Sequence, residues 1–302
     1  MSPHLIRSLG ANDLDAVVAV DREASGRSRR EFYARRFLGL EQEARGALGT
    51  AVEVGGRLAG FAFAHVLDGE FGGTAPVGVL DAIGVAESAR RRGAGKALVA
   101  GLEAALAARG VRELRSQVEW GERGLGPFFA SCGFRLAPRL VLQRPLDRPS
   151  PDDFSWDEQV VRSMTDRDLP AVIRCDRKIT GRDRTAYYAR KAAEALRQSA
   201  VRVSLVAEVQ GQLAGFLMAR VDFGEFGRTE PTAVLDTIGV DPGHARQHVG
   251  RALVEQLLLN LATLRAEQLV TEVAWNDLGL LAFVERCGFS HAQRLALDKP
   301  LR

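Results

Sequence analysis

The chain has 302 residues, 46% of them hydrophobic, which is enough for two ordinary domains with separate cores. Its 41 basic and 38 acidic residues nearly balance, which argues against a dedicated nucleic-acid-binding protein, because such a protein binds by neutralising phosphates. There is no apolar run of the roughly 18 residues that a membrane span needs, nor a secretion signal at the start. We therefore predict a cytoplasmic protein with neither nucleic acid nor a membrane as partner.

The first half of the chain alternates helical and strand patterns. The helix that starts at Gly95 is typical of an amphipathic helix, because Leu98, Leu102 and Leu106 recur on one face. In chain order the patterns predict a strand through residues 5–6, a helix opened by Asn12 or Asp13, a helix with capping-box spacing from Ser28 to Glu31, a hairpin of residues 50–54 and 58–66, a strand over 77–85, a helix from Gly95 to Gly110, a strand over 111–118 and a short helix over 127–131.

The second half repeats the first at a constant offset of 155 residues. Residues 58–85 align with residues 213–240 without a gap, and 18 of the 28 positions are identical. A period this long indicates a duplicated domain rather than a solenoid repeat. We predict a domain over residues 1–146, a linker rich in proline and charge over 147–157, and a second domain over 158–302.

The most informative segment is a strand that enters a loop rich in arginine and glycine, and this loop opens a helix. Glycines allow close approach of the backbone, and the free N–H groups at a helix start favour a phosphate. The alternative is a solvated basic turn that precedes an amphipathic helix. Spacing excludes a P-loop and a dinucleotide-binding fingerprint, since Arg90, Ala97 and Leu98 occupy positions where those motifs need other residues.

With Arg90, Gly93 and Gly95 in the order Arg-x-x-Gly-x-Gly, the segment resembles the GNAT superfamily of N-acetyltransferases. The order of elements in each half matches that family as well. The resemblance implies an α/β fold of two tandem GNAT-like domains, each with a mixed, mostly antiparallel sheet flanked by helices, and acetyl-CoA as acyl donor. It implies that the pantetheine arm of acetyl-CoA binds to Ile83, Gly84 and Val85. It also implies that the pyrophosphate binds to the loop residues Arg90, Arg91, Arg92, Gly93, Ala94, Gly95 and Lys96.

The second half departs from this signature. Ala245 stands where the first half has Arg90, and His248 stands where it has Gly93, so a Cβ would crowd the phosphate position. We expect weaker cofactor binding there. His244 and His248 have an i, i+4 spacing but no evident third ligand, and Cys132, Cys175 and Cys287 lack ligand spacing, so we predict no metal site.

Acetyl transfer to an amine requires removal of a proton from the ammonium form. Asp81 is the first candidate base, because it is a charged residue in an apolar strand and burial there would raise its pKa. The competing interpretation is that Asp81 pairs with an arginine and braces the hairpin, as its counterpart Asp236 suggests. Glu70 is the second candidate for a catalytic or anchoring role, although its glycine-rich surroundings also suit a plain turn.

Members of the family often carry a tyrosine in the last helix that protonates the leaving thiolate. The matching residues here are Phe129 and Val284, which cannot donate a proton. Tyr33 is an alternative donor if it reaches the cleft, although its helix more often buries such residues.

The resulting hypothesis is an N-acetyltransferase whose first half binds acetyl-CoA and which acts on a primary amine of a small molecule or peptide. We expect either a monomer with pseudo-twofold pairing of its halves or a homodimer. The alternative is a non-catalytic acyl-CoA-binding or protein-interaction module, which the missing tyrosines favour.

Overall fold

A computed structural model describes residues 5–26, 28–42, 46–68, 75–146, 159–189, 191, 203–223 and 231–301. The elements of the first half are β1 (Leu5–Ser8), α1 (Leu14–Ser25), α2 (Arg30–Glu41), β2 (Leu48–Val54), β3 (Arg57–Asp68), β4 (Pro76–Val85), α3 (Ala94–Ala107), β5 (Glu113–Glu119), α4 (Leu125–Ser131) and β6 (Arg135–Pro145). Those of the second half are β7 (Gln159–Ser163), α5 (Leu169–Thr180), α6 (residues 185–189), β8 (Leu205–Val209), β9 (Gln212–Phe223), β10 (Pro231–Val240), α7 (Val249–Thr263), β11 (Gln268–Ala274), α8 (Leu278–Arg286) and β12 (Ser290–Pro300).

The predicted mixed α/β fold is confirmed, and the strands of both halves form one sheet. Its order is β1-β2-β3-β4-β5-β12-β6-β11-β10-β9-β8-β7. The β4–β5 and β10–β11 pairs are parallel, whereas the other neighbours are antiparallel. Helices cover both faces of the sheet. In the first half Leu98, Leu102 and Leu106 of α3 are fully buried on one face, as their spacing predicts, and α1 and α2 cover the other.

Each half gives its last strand to the other half. β12 pairs with β5 from Arg294–Glu119 to Pro300–Glu113, and β6 pairs with β11 from Arg139–Ala274 to Pro145–Gln268. As a result, Leu297 and Leu301 lie in the hydrophobic core of the first half. The predicted linker 147–157 lies outside the described residues, and the sequence boundaries of the two domains stay a prediction.

A polar cluster marks the pseudo-twofold relation between the halves. Gln117 and Glu272 are equivalent in the repeat, and Gln117 Nε2 donates to Glu272 Oε1 at 2.5 Å. Arg139 and Arg294 are also equivalent. Arg139 Nε donates to Glu272 Oε2 at 2.8 Å, and Arg294 Nη1 donates to Gln117 Oε1 at 3.3 Å. The two halves therefore meet through the same surface, as the subunits of a symmetric dimer do.

The start of the second half is held by a buried carboxylate, Asp168, which precedes α5. Arg162 donates to both of its oxygens, at 2.7 and 2.8 Å, and Thr165 donates through its N–H and its hydroxyl. The hydrogen bonds from Arg162 outweigh partial burial and, with those from Thr165, hold the pKa of Asp168 well below its usual range. The ionised carboxylate therefore stabilises the fold.

We expect Asp168→Asn to lower the free energy of unfolding by about 1 to 2 kcal/mol at pH 7, because the exposed part of Arg162 screens the pair. A lowered folded-state pKa means that this contribution is present above about pH 4 and is lost as the pH falls through the folded pKa. Denaturant unfolding at several pH values checks this. The exposed neighbour Asp166, changed to Asn, is the control. A difference between Asp168→Asn and wild type that persists at low pH would contradict the assignment.

Candidate active site

The site begins where β4 and β5 separate. These parallel strands pair only at Gly78–Leu114 and Val79–Arg115, and beyond that point β4 continues to Val85 without β5 beside it. Ser116 Oγ donates to the carbonyl oxygen of Leu80 at 2.9 Å and so closes the narrow end of the opening. The result is a wedge-shaped gap with β4 along one side.

The exposed edge of β4 carries backbone groups that β5 does not pair with, and such groups can bind an extended ligand. Ala86 N donates to the Ala59 carbonyl on β3, so by alternation Val85 and Ile83 direct their N–H and C=O groups away from β3, into the gap. Arg90 Nε donates to the Val85 carbonyl at 3.1 Å from that side. Gly84 is required for another reason, since a Cβ there would lie 2.6 Å from the Phe61 ring.

The arginine-glycine loop lies at the wide end of the gap. Arg91 and Gly93 have left-handed backbone conformations, with φ of 58° and 88°, and α3 begins directly after Gly93. Arg90, Arg91, Arg92 and Lys96 are exposed, so the helix start carries both free N–H groups and positive charge. Gly95 has a packing role, because a Cβ there would lie 2.8 Å from the Phe128 ring.

The open edge of β4 is long enough for an extended ligand. From Val85 back to Leu80 the strand covers five residue steps, or about 17 Å at the usual rise per residue. A diphosphate at the start of α3 would thus direct an extended arm along Val85 and Ile83. The arm would place its far end beside Leu80 and Asp81.

Asp81 lies at this narrow end, on a β-bulge. Phe63 pairs with Ala82 and Ala64 pairs with Leu80, so Asp81 is the extra residue in β4. Its side chain is 8% exposed, with Oδ2 3.1 Å from Arg36 Nη2 and 3.7 Å from His65 Nδ1. Its Oδ1 has no hydrogen-bond partner among the residues that the structure describes.

The expectation that burial raises the pKa of Asp81 is wrong. Burial favours the neutral acid, but the positive charge of Arg36 and the interaction with His65 outweigh it, and the pKa of Asp81 is lowered. The carboxylate is therefore ionised and paired with an arginine, as the bracing interpretation anticipated. Sequence reasoning missed Arg36 and His65. The repeat offered a signal, because a basic residue interrupts the apolar strand at His65 and again at Arg220.

The second half contains an equivalent cluster with different cations. Asp236 is again the bulge residue, between Leu235 and Thr237. It is paired with Arg220, the equivalent of His65, and its Oδ2 lies 3.6 Å from Nζ of Lys191, the equivalent of Arg36. The gap is also repeated, since β10 and β11 pair only as far as Val234–Val270.

Beside Gly239 of β10, however, stands a larger side chain than at the equivalent place in the first half. A Cβ built at Gly239 would lie 2.8 Å from Ile179 Cδ1, so this side chain covers the strand. The equivalent residue in the first half is Ala24. At Gly84 the three nearest atoms all belong to Phe61.

The other candidate residues have clear positions, with one exception. Glu70 lies outside the described residues, and its role stays a prediction. Tyr33 is buried beneath α1 and donates its hydroxyl to Asp21 Oδ1 at 2.8 Å; burial raises its pKa, so it is not a proton donor at the gap. Phe129 and Val284 are buried in the two cores. Burial likewise raises the pKa of Cys287, to about 11.

The second loop keeps the backbone of the first despite its different residues. Arg246 and His248 have φ of 64° and 62°, and α7 begins directly after His248.

We expect His248→Gly to raise the free energy of unfolding by about 1 kcal/mol, because a left-handed conformation is unfavourable for a residue with a Cβ. Thermal unfolding checks this. Gly93→His, the reciprocal change, should cost a similar amount, and a destabilised His248→Gly would contradict the strain argument.

The described residues contain no group of three or more His, Cys, Asp or Glu side chains placed to hold a metal ion. In the same part of the chain, no helix is long and apolar enough to cross a membrane.

Comparison with known protein families matches both halves of the chain to the same family. The sequence profile described as the acetyltransferase (GNAT) family matches residues 15–134 and 172–289. No curated protein sequence matches the chain significantly.

Solved structures match the whole chain. One is a tandem GNAT protein from the clavulanic acid biosynthesis pathway, with a TM-score of 0.68, 19% identity and 99% of each chain covered. Another is a GCN5-related N-acetyltransferase from Sphaerobacter thermophilus, with a TM-score of 0.66, 17% identity, and 100% of this chain and 97% of that chain covered. At these identities the likeness establishes the fold alone.

Proposed function

Because the chain belongs to the GNAT acetyltransferase family, we propose that its first half binds acetyl-CoA and transfers the acetyl group to a primary amine. The family supports acyl-CoA-dependent acetyl transfer in general. The choice of the first half and of an amine acceptor is our inference. The acceptor class that we propose is a small molecule or a peptide.

The observation that carries this proposal is the gap between β4 and β5, with the arginine-glycine loop at its wide end and Asp81 at its narrow end. The loop residues 90–96 would hold the pyrophosphate, and the backbone of Ile83 to Val85 would hold the pantetheine arm. Bound acetyl-CoA supplies an activated thioester. The role of the chain is to bind it, exclude water and remove the proton of the acceptor.

Asp81 supports an acceptor site on the α2 side of the sheet. An ionised, buried carboxylate with one oxygen free of hydrogen bonds among the described residues attracts an ammonium group. Glu70 lies in the connection between β3 and β4, the two strands that carry His65 and Asp81, and we retain it as a candidate anchor for the acceptor.

The alternative is a non-catalytic acyl-CoA-binding protein, which the buried Phe129 in place of a tyrosine favours. Calorimetric titration with acetyl-CoA, followed by a panel of primary amines with detection of released CoA thiol, separates the two. We expect one binding site and thiol release with at least one amine. Binding without release for any amine would favour the alternative, and absence of binding would reject both.

A further inference from the structure

The cluster around Asp81 contains an imidazole, a side chain that can accept a proton on one nitrogen while it donates from the other, and the cluster around Asp236 has an arginine at the same position. His65 is 8% exposed and faces Asp81 and Arg36 on the α2 side of the sheet. Its equivalent Arg220 has a guanidinium that stays charged and accepts no proton. The duplication therefore presents the same site with and without a proton acceptor.

His65 also lies at the correct level of the sheet. It pairs with Val79, and Val79 pairs with Arg115 at the last contact before β4 and β5 separate. One strand spacing, about 4.8 Å, separates the backbone of His65 from that of β4. An acyl group at the narrow end of the gap would therefore lie close to the imidazole.

We propose that His65 takes the proton from the ammonium group of the acceptor and that Asp81 is the positioning residue that orients the imidazole. A proton on Nδ1 directed at Asp81 Oδ2 makes Nε2 the basic nitrogen, and the carboxylate stabilises the imidazolium that forms. Arg36 keeps Asp81 ionised for this purpose. This role rests on the proposed function and deepens it.

The acceptor ammonium gives one proton to His65, and the freed lone pair on nitrogen forms the C–N bond to the thioester carbonyl carbon. The C–S bond breaks with its electron pair on sulfur. The second proton that the nitrogen loses neutralises the CoA thiolate through water, and His65 releases its proton to solvent. No general acid is needed in the last helix, where Phe129 stands.

The test uses His65→Arg, which introduces the residue type that the second half has at the equivalent position, Arg220, and so has a precedent in this fold. The probes are ethylamine, which is an ammonium ion at neutral pH, and hydroxylamine, which is already neutral. We expect His65→Arg to lower acetyl transfer to ethylamine by about 10² to 10⁴-fold, the usual contribution of a general base, and to retain most of the transfer to hydroxylamine. Arg220→His in the second half is the matched control and should leave both rates unchanged.

Two further measurements guard against a folding defect. His65→Gln keeps a donor toward Asp81 but accepts no proton, and should show the same split between the probes. Calorimetry should give an unchanged affinity for acetyl-CoA in both variants. In the ring NMR spectrum of the wild type, the His65 signal, assigned by its loss in His65→Gln, should shift on saturation with acetyl-CoA.

The outcomes are distinct. An equal loss with both probes, no loss with ethylamine, or a His65 signal that acetyl-CoA leaves unmoved would overturn the role of His65 and leave the proposed transfer standing. A wild type that binds acetyl-CoA and releases no thiol with either probe or with any amine of the panel would overturn the proposed transfer and this role with it.

Discussion

The isolated first half, residues 1–146, should be a dimer in which two copies exchange β6. In the full chain the place next to β5 belongs to β12, and Leu297 in β12 and Leu301 directly after it lie in the core of the first half. Their equivalents are Leu142 in β6 and Leu146 directly after it, so a second copy supplies the same side chains. Each buried leucine is worth about 1.5 to 3 kcal/mol, so a half without any strand in this place would be severely destabilised.

The short connection between α4 and β6 is the reason that β6 pairs with another half instead of with its own β5. Only residues 132–134 join them, and Phe134 is anchored against Phe129 at a ring distance of 5.0 Å. A connection this short sends β6 away from its own β5, and short hinges favour exchange between copies. The polar cluster at the pseudo-twofold axis would then contain Gln117 and Arg139 from both copies.

Sedimentation equilibrium of residues 1–146 over a range of concentrations measures this association. The matched control inserts four residues of glycine and serine after Gly133, which should let β6 fold back beside its own β5 and shift the population toward monomer. A folded, compact monomer of the unmodified half at every concentration would show that the exchange is a consequence of the fusion and not of the hinge.

Local patterns predict most of the fold correctly because they depend on neighbouring residues. The leucine spacing of α3, the hairpin around Gly55 and Gly56 and the loop before Ala94 are all present in the structure. The capping box is wrong: α2 begins after Arg29, and no side chain caps it. Such patterns cannot predict the exchange of strands, because β6 and β12 are equivalent in the repeat and either one fits either position.

The candidate site was predictable only in part. The arginine-glycine loop is contiguous in sequence, so a pattern of neighbouring residues is enough to identify it. The cluster of Arg36, His65 and Asp81 depends on a bulge that shifts the register of β4 by one residue, and on the packing of α2 over it. Sequence periodicity does not specify a bulge, so the strand pattern identified Asp81 as unusual and allowed an arginine partner, but it identified neither Arg36 nor His65 and gave the wrong direction for the pKa shift.

Gly93→Glu should lower the affinity for acetyl-CoA at least about 100-fold, which corresponds to about 2.7 kcal/mol. Gly93 has φ of 88° and directly precedes α3, so its replacement places a Cβ and a negative charge beside the N–H groups that would hold the pyrophosphate. Gly93→Ala separates the two effects, because it introduces only the backbone strain of about 1 to 2 kcal/mol. Calorimetric titration measures the affinity, and circular dichroism confirms that the helix persists.

The matched control is His248→Glu, which places the same carboxylate at the equivalent position of the second half, where φ is 62°. If the first half holds acetyl-CoA, this variant binds like the wild type. Loss of binding in His248→Glu with retention in Gly93→Glu would assign the cofactor to the second half, where Ile179 covers the strand and Arg220 replaces His65. Loss in both variants would mean that the two loops bind acetyl-CoA together or that each carboxylate unfolds its helix, and the circular dichroism spectra distinguish these cases.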